Sequence, residues 1–176
     1  MLPLLLSALV AQNPGALGGY RMGMTRADVQ AVKDCAPYKD VPSTGGLECA
    51  GFLLERKRRH ISFLFDEKAG LKKIQVWFGE GLDAAKAEAA LAELVLHLEQ
   101  GYGTLESASL GMDVRVTAKA LLEAAAKDGK AQLKPRRNPK DKFVFGSVFK
   151  DEAHGWFVFM YVQPPRPVAE MPPAHP

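Results

Sequence analysis

The chain has few of the side chains from which enzyme active sites and metal centres are built. It contains four histidines and two cysteines among 176 residues. No histidine lies near Cys35 or Cys49 in the sequence, so the ligand spacing of a zinc site is missing. The G-x-S-x-G, H-E-x-x-H and phosphate-loop patterns are also absent. The sequence therefore predicts no metal, no cofactor and no catalytic residues.

The four histidines are far apart in the sequence. His60 begins an expected strand, His97 lies on an expected helix, His154 lies in a turn and His175 lies in the tail. We expect His97 at a solvated or hydrogen-bonded helix position rather than in an active site. The protein is accordingly predicted not to be an enzyme, and an enzyme of unknown class is kept as a remote alternative.

Long apolar runs are also lacking, apart from Leu2–Ala11 at the start. A run of this length spans roughly 15 Å as a helix, about half of a bilayer core, so we expect no transmembrane segment. It predicts a signal peptide over residues 1–11, cleaved between Ala11 and Gln12, and a periplasmic or secreted protein. No Lys or Arg precedes the run, which is unusual for a signal peptide and would be explained by a start site placed slightly late. The alternative to a signal peptide is a buried N-terminal strand or helix. No cysteine follows it, so it is not a lipoprotein signal.

The two cysteines fit an exported protein. A disulfide between Cys35 and Cys49 would close a loop of about 15 residues and stabilise the fold by roughly 3 kcal/mol. The alternative is a pair of buried free thiols.

A formal charge of +3 does not by itself require a polyanionic partner. The densest basic cluster is "RKRR", and its side chains suit phosphate or carboxylate groups. We take Arg56, Lys57, Arg58 and Arg59 as candidate anion contacts; the alternative is a solvated turn between strands. A second basic segment, 130–142, alternates with proline rather than aromatic residues, so no nucleic-acid partner is expected.

The best-specified local structure is a short helix that begins at Thr25. Thr25 and Asp28 have the spacing of a capping box, and Met24 and Val29 that of a hydrophobic staple. Pro37 requires the helix to end by about Cys35.

Alternating apolar residues predict strands in the first half and again near the end. We expect an antiparallel meander of residues 49–55, 60–65 and 71–78, a helix over 83–100, a helix over 117–128, and a closing hairpin of 142–149 and 156–163. The last strand is apolar on both faces, which predicts a central strand covered on both sides. Its aromatics could instead form a stacking platform, although core packing is the more usual role of this pattern.

The predicted fold is α+β, with an antiparallel sheet and helices on one face, built either as one unit or as two tandem helix-plus-meander units. The predicted domain covers residues 12–163, with candidate subunits 20–80 and 81–163. Residues 164–176 are rich in proline and predict a disordered tail.

The segment "GMTRADV" resembles the opening of the SmpA/OmlA (BamE-like) outer-membrane assembly lipoproteins, and "HISFLFDEKAGLKKIQVWF" resembles their hairpin. Pro37 stands where that family has proline, whereas Cys35 replaces a glycine and the lipobox is missing. The resemblance covers about residues 20–78. It implies a non-enzymatic module that binds protein or lipid in the cell envelope. Two such units in tandem would be similar in architecture to the β-lactamase inhibitor proteins.

We therefore expect an exported, non-catalytic binding module of the bacterial cell envelope whose partner is a protein or a lipid. The alternative is a secreted inhibitor or interaction protein built from two units.

Overall fold

The computed structural model describes residues 17–111, 114–140 and 142–165. The predicted signal peptide and residues 166–176 of the predicted tail lie outside the described residues.

Eight strands form one antiparallel sheet, and the three helices confirm the predicted α+β class. The strands are β1 (Lys39–Val41), β2 (Gly46–Leu54), β3 (Lys57–Asp66), β4 (Gly70–Leu82), β5 (Leu105–Glu106), β6 (Lys130–Pro135), β7 (Phe143–Asp151) and β8 (Gly155–Gln163). The helices are α1 (Arg26–Ala31), α2 (Ala84–Tyr102) and α3 (Ala118–Asp128).

The strand order shows two groups of four strands that meet in the middle of the sheet. The order is β1-β2-β3-β4-β8-β7-β6-β5, so chain neighbours pair within each half and β4 pairs with β8 between the halves. Strands β1 to β4 form a meander, whereas α3 separates β5 from β6 in the second half. Two tandem units stay a prediction, and so does a duplication of one ancestral unit.

The start of α1 has the predicted capping box. The Thr25 hydroxyl accepts a hydrogen bond from the Asp28 amide, and the Asp28 carboxylate accepts one from the Thr25 amide. Val29 is completely buried. The predicted disulfide is also present: Cys35 and Cys49, with their Cα atoms 6.1 Å apart, tie the segment after α1 to β2.

The long helices cover one face of the sheet. Asp83 caps the start of α2, and the helix ends at Gly103, with φ of 80°, rather than at the predicted Gly101. α2 packs against β4 and β8, and α3 packs against β6 and β7. The strand residues beneath them, such as Val158 and Met160, are fully buried. The main core of the protein therefore lies between the helices and this face.

Two predicted loops prove to be strands. The connection between β2 and β3 is only the two-residue turn Glu55–Arg56, with φ of 50° and 67°, so three of the "RKRR" residues belong to β3. The basic segment after α3 begins with strand β6, whose alternate residues Ala131 and Leu133 are buried beneath α3. The alternation of apolar residues in these two segments was not recognised from the sequence, because most of their residues are charged or proline.

Candidate functional site: the uncovered face of the sheet

Strand β8 is central, as predicted, but the described helices cover only one of its faces. Val158, Met160 and Val162 belong to the core beneath the helices. The intervening residues Phe157 and Tyr161 are only partly buried. The prediction of cover on both faces is therefore wrong for the part of the chain that the structure describes. What lies on the second face is a group of aromatic rings.

The strand register brings aromatic residues of three strands together on this second face. Phe149 of β7 lies opposite Phe157, and Phe145 lies opposite Tyr161. Trp77 of β4 lies opposite Phe159. Side chains in such directly opposed positions are close enough to pack against each other. We refer to seven residues together as the aromatic face: Trp77, Phe143, Phe145, Phe149, Phe157, Phe159 and Tyr161.

These rings form a continuous cluster rather than isolated pairs. The centroid of Phe159 lies 4.7 Å from that of Tyr161, 5.2 Å from that of Trp77 and 5.8 Å from that of Phe149. Phe159 is only 5% exposed, yet it is not part of the core beneath the helices. Its burial comes from neighbouring rings of the same face. The other six rings remain partly exposed, so a second apolar cluster lies open on the sheet.

One lysine lies among the rings. The Lys73 ammonium group is 3.4 Å from the centroid of the Tyr161 ring, an arrangement that a cation–π interaction stabilises. Burial lowers the pKa of Lys73 below the usual lysine range. Burial also raises the pKa of Tyr161, so the phenol stays protonated and neutral near pH 7.

Polar side chains border the aromatic face on the β2–β3 side. The His60 ring stacks on Trp77, with centroids 6.1 Å apart. Its Nδ1 atom lies 2.8 Å from a Glu80 oxygen, and its Nε2 atom lies 3.4 Å from a Glu48 oxygen. On the opposite side, the Lys134 ammonium group lies 3.0 Å from Glu106. An apolar centre with a polar border is the usual anatomy of a protein-binding surface.

A cavity of about 230 Å³ adjoins the aromatic face near β5 and β6. Phe143 and Phe145 form its wall towards the rings, and Gln132 and the Glu106–Lys134 pair form the remainder together with Ala108 and Leu133. The cavity extends the open surface from the centre of the sheet to its edge.

The predicted anion contacts are distributed over different parts of the surface. Lys57 and Arg59 both bind the carboxylate of Glu93 on α2. Arg59 also lies over the Phe78 ring, and its side chain is 10% exposed. Arg56 occupies the hairpin turn. An external anion bound at this cluster stays a prediction, because two of its four cations already hold a carboxylate of the same chain.

Arg58 is exposed and lies opposite Leu53, which is 56% exposed, whereas the adjacent Phe52 and Leu54 are buried. Arg58 is thereby placed on the same side of the sheet as the aromatic face.

The histidines of the described residues have separate partners and do not converge. His97 is 1% exposed and shares a 2.7 Å hydrogen bond with Glu55, which agrees with the expected hydrogen-bonded position. His154 contacts Asp151 in the β7–β8 turn. His175 lies outside the described residues. Within residues 17–111, 114–140 and 142–165 there is no group of three His, Cys, Asp or Glu placed to hold a metal ion.

A second cavity, of about 500 Å³, lies beside the end of α2. Its wall includes Glu99, Arg115 and Arg136 and the half-exposed Val114. Thr104 also lines this cavity, and none of the described histidines lines either of the two cavities.

The sequence contained the signal for the aromatic face, but it was ambiguous. The pattern "WFVFMYVQ" shows a strand that is apolar on both sides and does not show what covers each side. The contribution of Trp77 depends on the β4–β8 pairing, which joins residues more than 80 positions apart in the chain.

No protein-family model, curated protein or solved structure matches this chain. The resemblance of residues 20–78 to the BamE-like lipoproteins therefore stays a prediction. Among the described residues, no helix has both the length and the apolar content needed to cross a membrane.

Proposed function

We propose that the protein is an exported, non-catalytic binding module of the bacterial cell envelope that holds a partner protein on its aromatic face. One observation carries this proposal: a connected cluster of seven rings lies on the sheet face that no described helix covers. Contiguous exposed apolar surface is costly in water, and on a folded protein it commonly marks an interaction site. Aromatic side chains are also enriched at the centres of protein interfaces.

A protein fits this surface better than a lipid membrane does. Glu48 and Glu80 border the rings on one side, and Glu106 borders them on the other. Glu48 and Glu80 share a single imidazole, so their side keeps a net negative charge that repels anionic headgroups, whereas a protein can place polar groups against it. The proposal therefore commits to a protein partner.

The disulfide supports the exported location. Disulfides persist in the periplasm and outside the cell and are rare in reducing compartments. Cys35 and Cys49 are both bonded, and each is 2% exposed.

A second candidate is a released inhibitor that covers a soluble enzyme with the same face. The meeting of two groups of four strands at β4 and β8 favours it, because such inhibitors are expected to consist of two units. The two candidates differ in the partner and in retention at the envelope, and they share the binding surface.

The binding surface can be tested by photo-crosslinking in cells of the source organism. A photoreactive phenylalanine analogue replaces Tyr161 on the aromatic face or, as a control, Leu96, which is 52% exposed on the helix side. We expect a defined crosslinked protein from position 161 and none from position 96. The crosslinked protein is then purified, and its affinity for the wild type and for Trp77→Ala and Phe157→Ala is measured.

We expect each alanine variant to bind this partner at least about 30-fold more weakly, because buried aromatic anchors contribute about 2 kcal/mol or more. Unchanged affinity in both variants, or crosslinking from position 96 alone, would refute the aromatic face as the binding surface. An envelope protein as the partner supports the first candidate, and a soluble enzyme that loses activity supports the second.

A further inference from the structure

The strand register places two amide side chains beside Lys73 on the aromatic face. Gln75 follows Lys73 by two residues on β4 and lies opposite Tyr161. Ile74 pairs with Val162, so Gln163 is the neighbour of Lys73 on β8. Residues 73, 75, 161 and 163 share one face because alternate residues of a strand point the same way.

Lys73 differs from Lys134 and His60, two basic residues that border the aromatic face. Lys134 is paired with Glu106, and His60 lies between two carboxylates. In the described part of the chain, no ion pair joins Lys73 to a carboxylate, and its partner across β3 is the apolar Leu64. The ammonium group is therefore partly withdrawn from water without a counter-charge, which disfavours its charged form.

We infer that Lys73, Gln75 and Gln163 form a carboxylate-binding subsite, and that the partner protein places an Asp or Glu side chain there with apolar residues beside it. The inference rests on the proposed function of the aromatic face. The ammonium group donates to the carboxylate, and each glutamine amide can donate as well. The surrounding rings contact the apolar residues that flank the acid.

A second copy of this chain fits the subsite less well. Glu106 is already paired with Lys134 and Arg136, and Glu48 and Glu80 both contact His60 of their own chain. A copy docked face to face would bring a second Lys73 as well, and any of these carboxylates that reached it would have to leave a partner of its own chain. An acidic segment of another protein supplies the missing charge.

The test uses the mature chain with its disulfide intact and peptides as the probe. Random dodecapeptides displayed on phage are selected on the wild-type protein, and the selected peptides are synthesised. Their affinities are measured for the wild type, Trp77→Ala, Lys73→Gln and Lys72→Gln. Lys72→Gln is the charge-matched control, since it removes the same charge from the neighbouring residue, which is exposed at the β-bulge between Leu71 and Lys73 rather than half-buried among the rings.

Binding can be located on the face by NMR, because the two tryptophans report on opposite faces. The Trp77 indole is part of the aromatic face, whereas Trp156 belongs to the core beneath the helices. A peptide bound at the proposed site shifts the indole signal of Trp77 and leaves that of Trp156 in place.

We expect the selected peptides to share an Asp or Glu flanked by apolar residues and to lose affinity about tenfold or more with Lys73→Gln. Lys72→Gln should change the affinity less than twofold. Replacing the shared acid by its amide should weaken binding to the wild type tenfold and leave binding to Lys73→Gln unchanged.

Several outcomes would overturn the inference. Peptides that shift Trp77 but show no acidic preference and bind Lys73→Gln normally refute the carboxylate subsite while the binding face stands. Peptides that bind equally well to Trp77→Ala, without shifting Trp77, count against the proposed function itself. A homodimer that Trp77→Ala dissociates identifies a second copy as the occupant. Flotation with phosphatidylglycerol vesicles that Lys73→Gln abolishes identifies a lipid headgroup instead.

Discussion

The hydroxyl oxygens of Tyr20 and Tyr38 lie 2.7 Å apart, and Tyr38 donates its hydrogen to the carbonyl oxygen of Val32. Because Tyr38 has only one hydrogen to donate, Tyr20 must be the donor between the two hydroxyls. The chain Tyr20, Tyr38, Val32 thus fastens the segment before α1 to the segment after it. The Tyr20 ring also packs against Phe63 of β3, with centroids 4.6 Å apart.

Tyr20 should make the protein less stable in strong alkali. Burial, and next the hydrogen bond to Tyr38, raise the pKa of Tyr20 far above that of an ordinary tyrosine. The unfolded chain ionises near its usual pKa of about 10, whereas the folded chain keeps the proton, so the free energy of unfolding falls as the pH rises above about 10. Urea unfolding at pH 8 and pH 11 measures this fall. Tyr20→Phe should lower the stability by about 1 kcal/mol at pH 8 and show a smaller fall between the two pH values.

The carboxylate of Glu93 should stabilise the contact between α2 and the β2–β3 hairpin. Burial alone would raise the pKa of Glu93, but hydrogen bonds from Lys57 and Arg59 and their charges outweigh it, so the pKa is lowered. Glu93→Gln should reduce the free energy of unfolding by about 1–2 kcal/mol, since it leaves the nearly buried Arg59 without its counter-charge.

The stabilisation by Glu93 should be fully present above the unfolded pKa, about 4.3, and disappear as the pH falls through the lower folded value. Urea unfolding at pH 7 and pH 3 tests both statements. Glu88→Gln is the control, because Glu88 is exposed on the same helix. An equal loss in the two variants would contradict a specific role of Glu93.

The disulfide should contribute about 3 kcal/mol to the free energy of unfolding, because the bond between Cys35 and Cys49 restricts a loop in the unfolded chain. Urea unfolding with and without a phosphine reductant measures the contribution. Reductant should have no effect on the double variant Cys35→Ala/Cys49→Ala. If reductant leaves the wild type unchanged while mass spectrometry confirms reduction, the assigned contribution is wrong.

Residues on the two faces of β8 should differ in their effect on stability. Met160→Ala removes a fully buried side chain from beneath the helices and should cost about 2–4 kcal/mol. Phe157→Ala removes a partly exposed ring and should cost clearly less. Urea unfolding ranks the two variants. The reverse order would show that the aromatic face is the main structural core and would weaken its assignment as a binding surface.

Export predicts a definite mass for protein recovered from its native cell. Cleavage between Ala11 and Gln12 removes residues 1–11, and the disulfide removes two further hydrogens. Intact-mass spectrometry with and without reductant reports both. A chain that retains its first eleven residues would contradict the predicted signal peptide.

Local patterns predicted the parts of the fold that local forces determine. Nearby residues alone identify several elements. The capping box of Thr25 and Asp28 identifies the start of α1, the apolar residues at helical spacing identify α2, and the alternation of apolar residues identifies β4, β7 and β8. Cys35 and Cys49 are the only two cysteines in the sequence, so they were the one possible intramolecular pair, and the sequence left only two free thiols as the alternative. The two-residue turn Glu55–Arg56 was missed because neither residue is typical of a turn that requires positive φ.

The candidate site was less predictable because it depends on pairing between distant strands. The aromatic pattern of β7 and β8 was visible, but core packing explained it equally well. Only the β4–β8 register brings Trp77 to Phe159 and Lys73 to Tyr161. The basic cluster was predicted as an anion site because of its charge. The sequence did not show that Glu93, on a helix more than thirty residues further along the chain, binds both Lys57 and Arg59.

The position of β8 has a consequence for how the protein is made. It is the last described strand along the chain, yet it lies between β4 and β7 in the middle of the sheet. While the ribosome synthesises the preceding residues, both of those strands have an open edge and the two halves have no contact through the sheet. The native sheet can close only when synthesis of residues 155–163 is complete. Completion of the sheet therefore depends on pairing between residues far apart in the chain, and such non-local contacts form slowly.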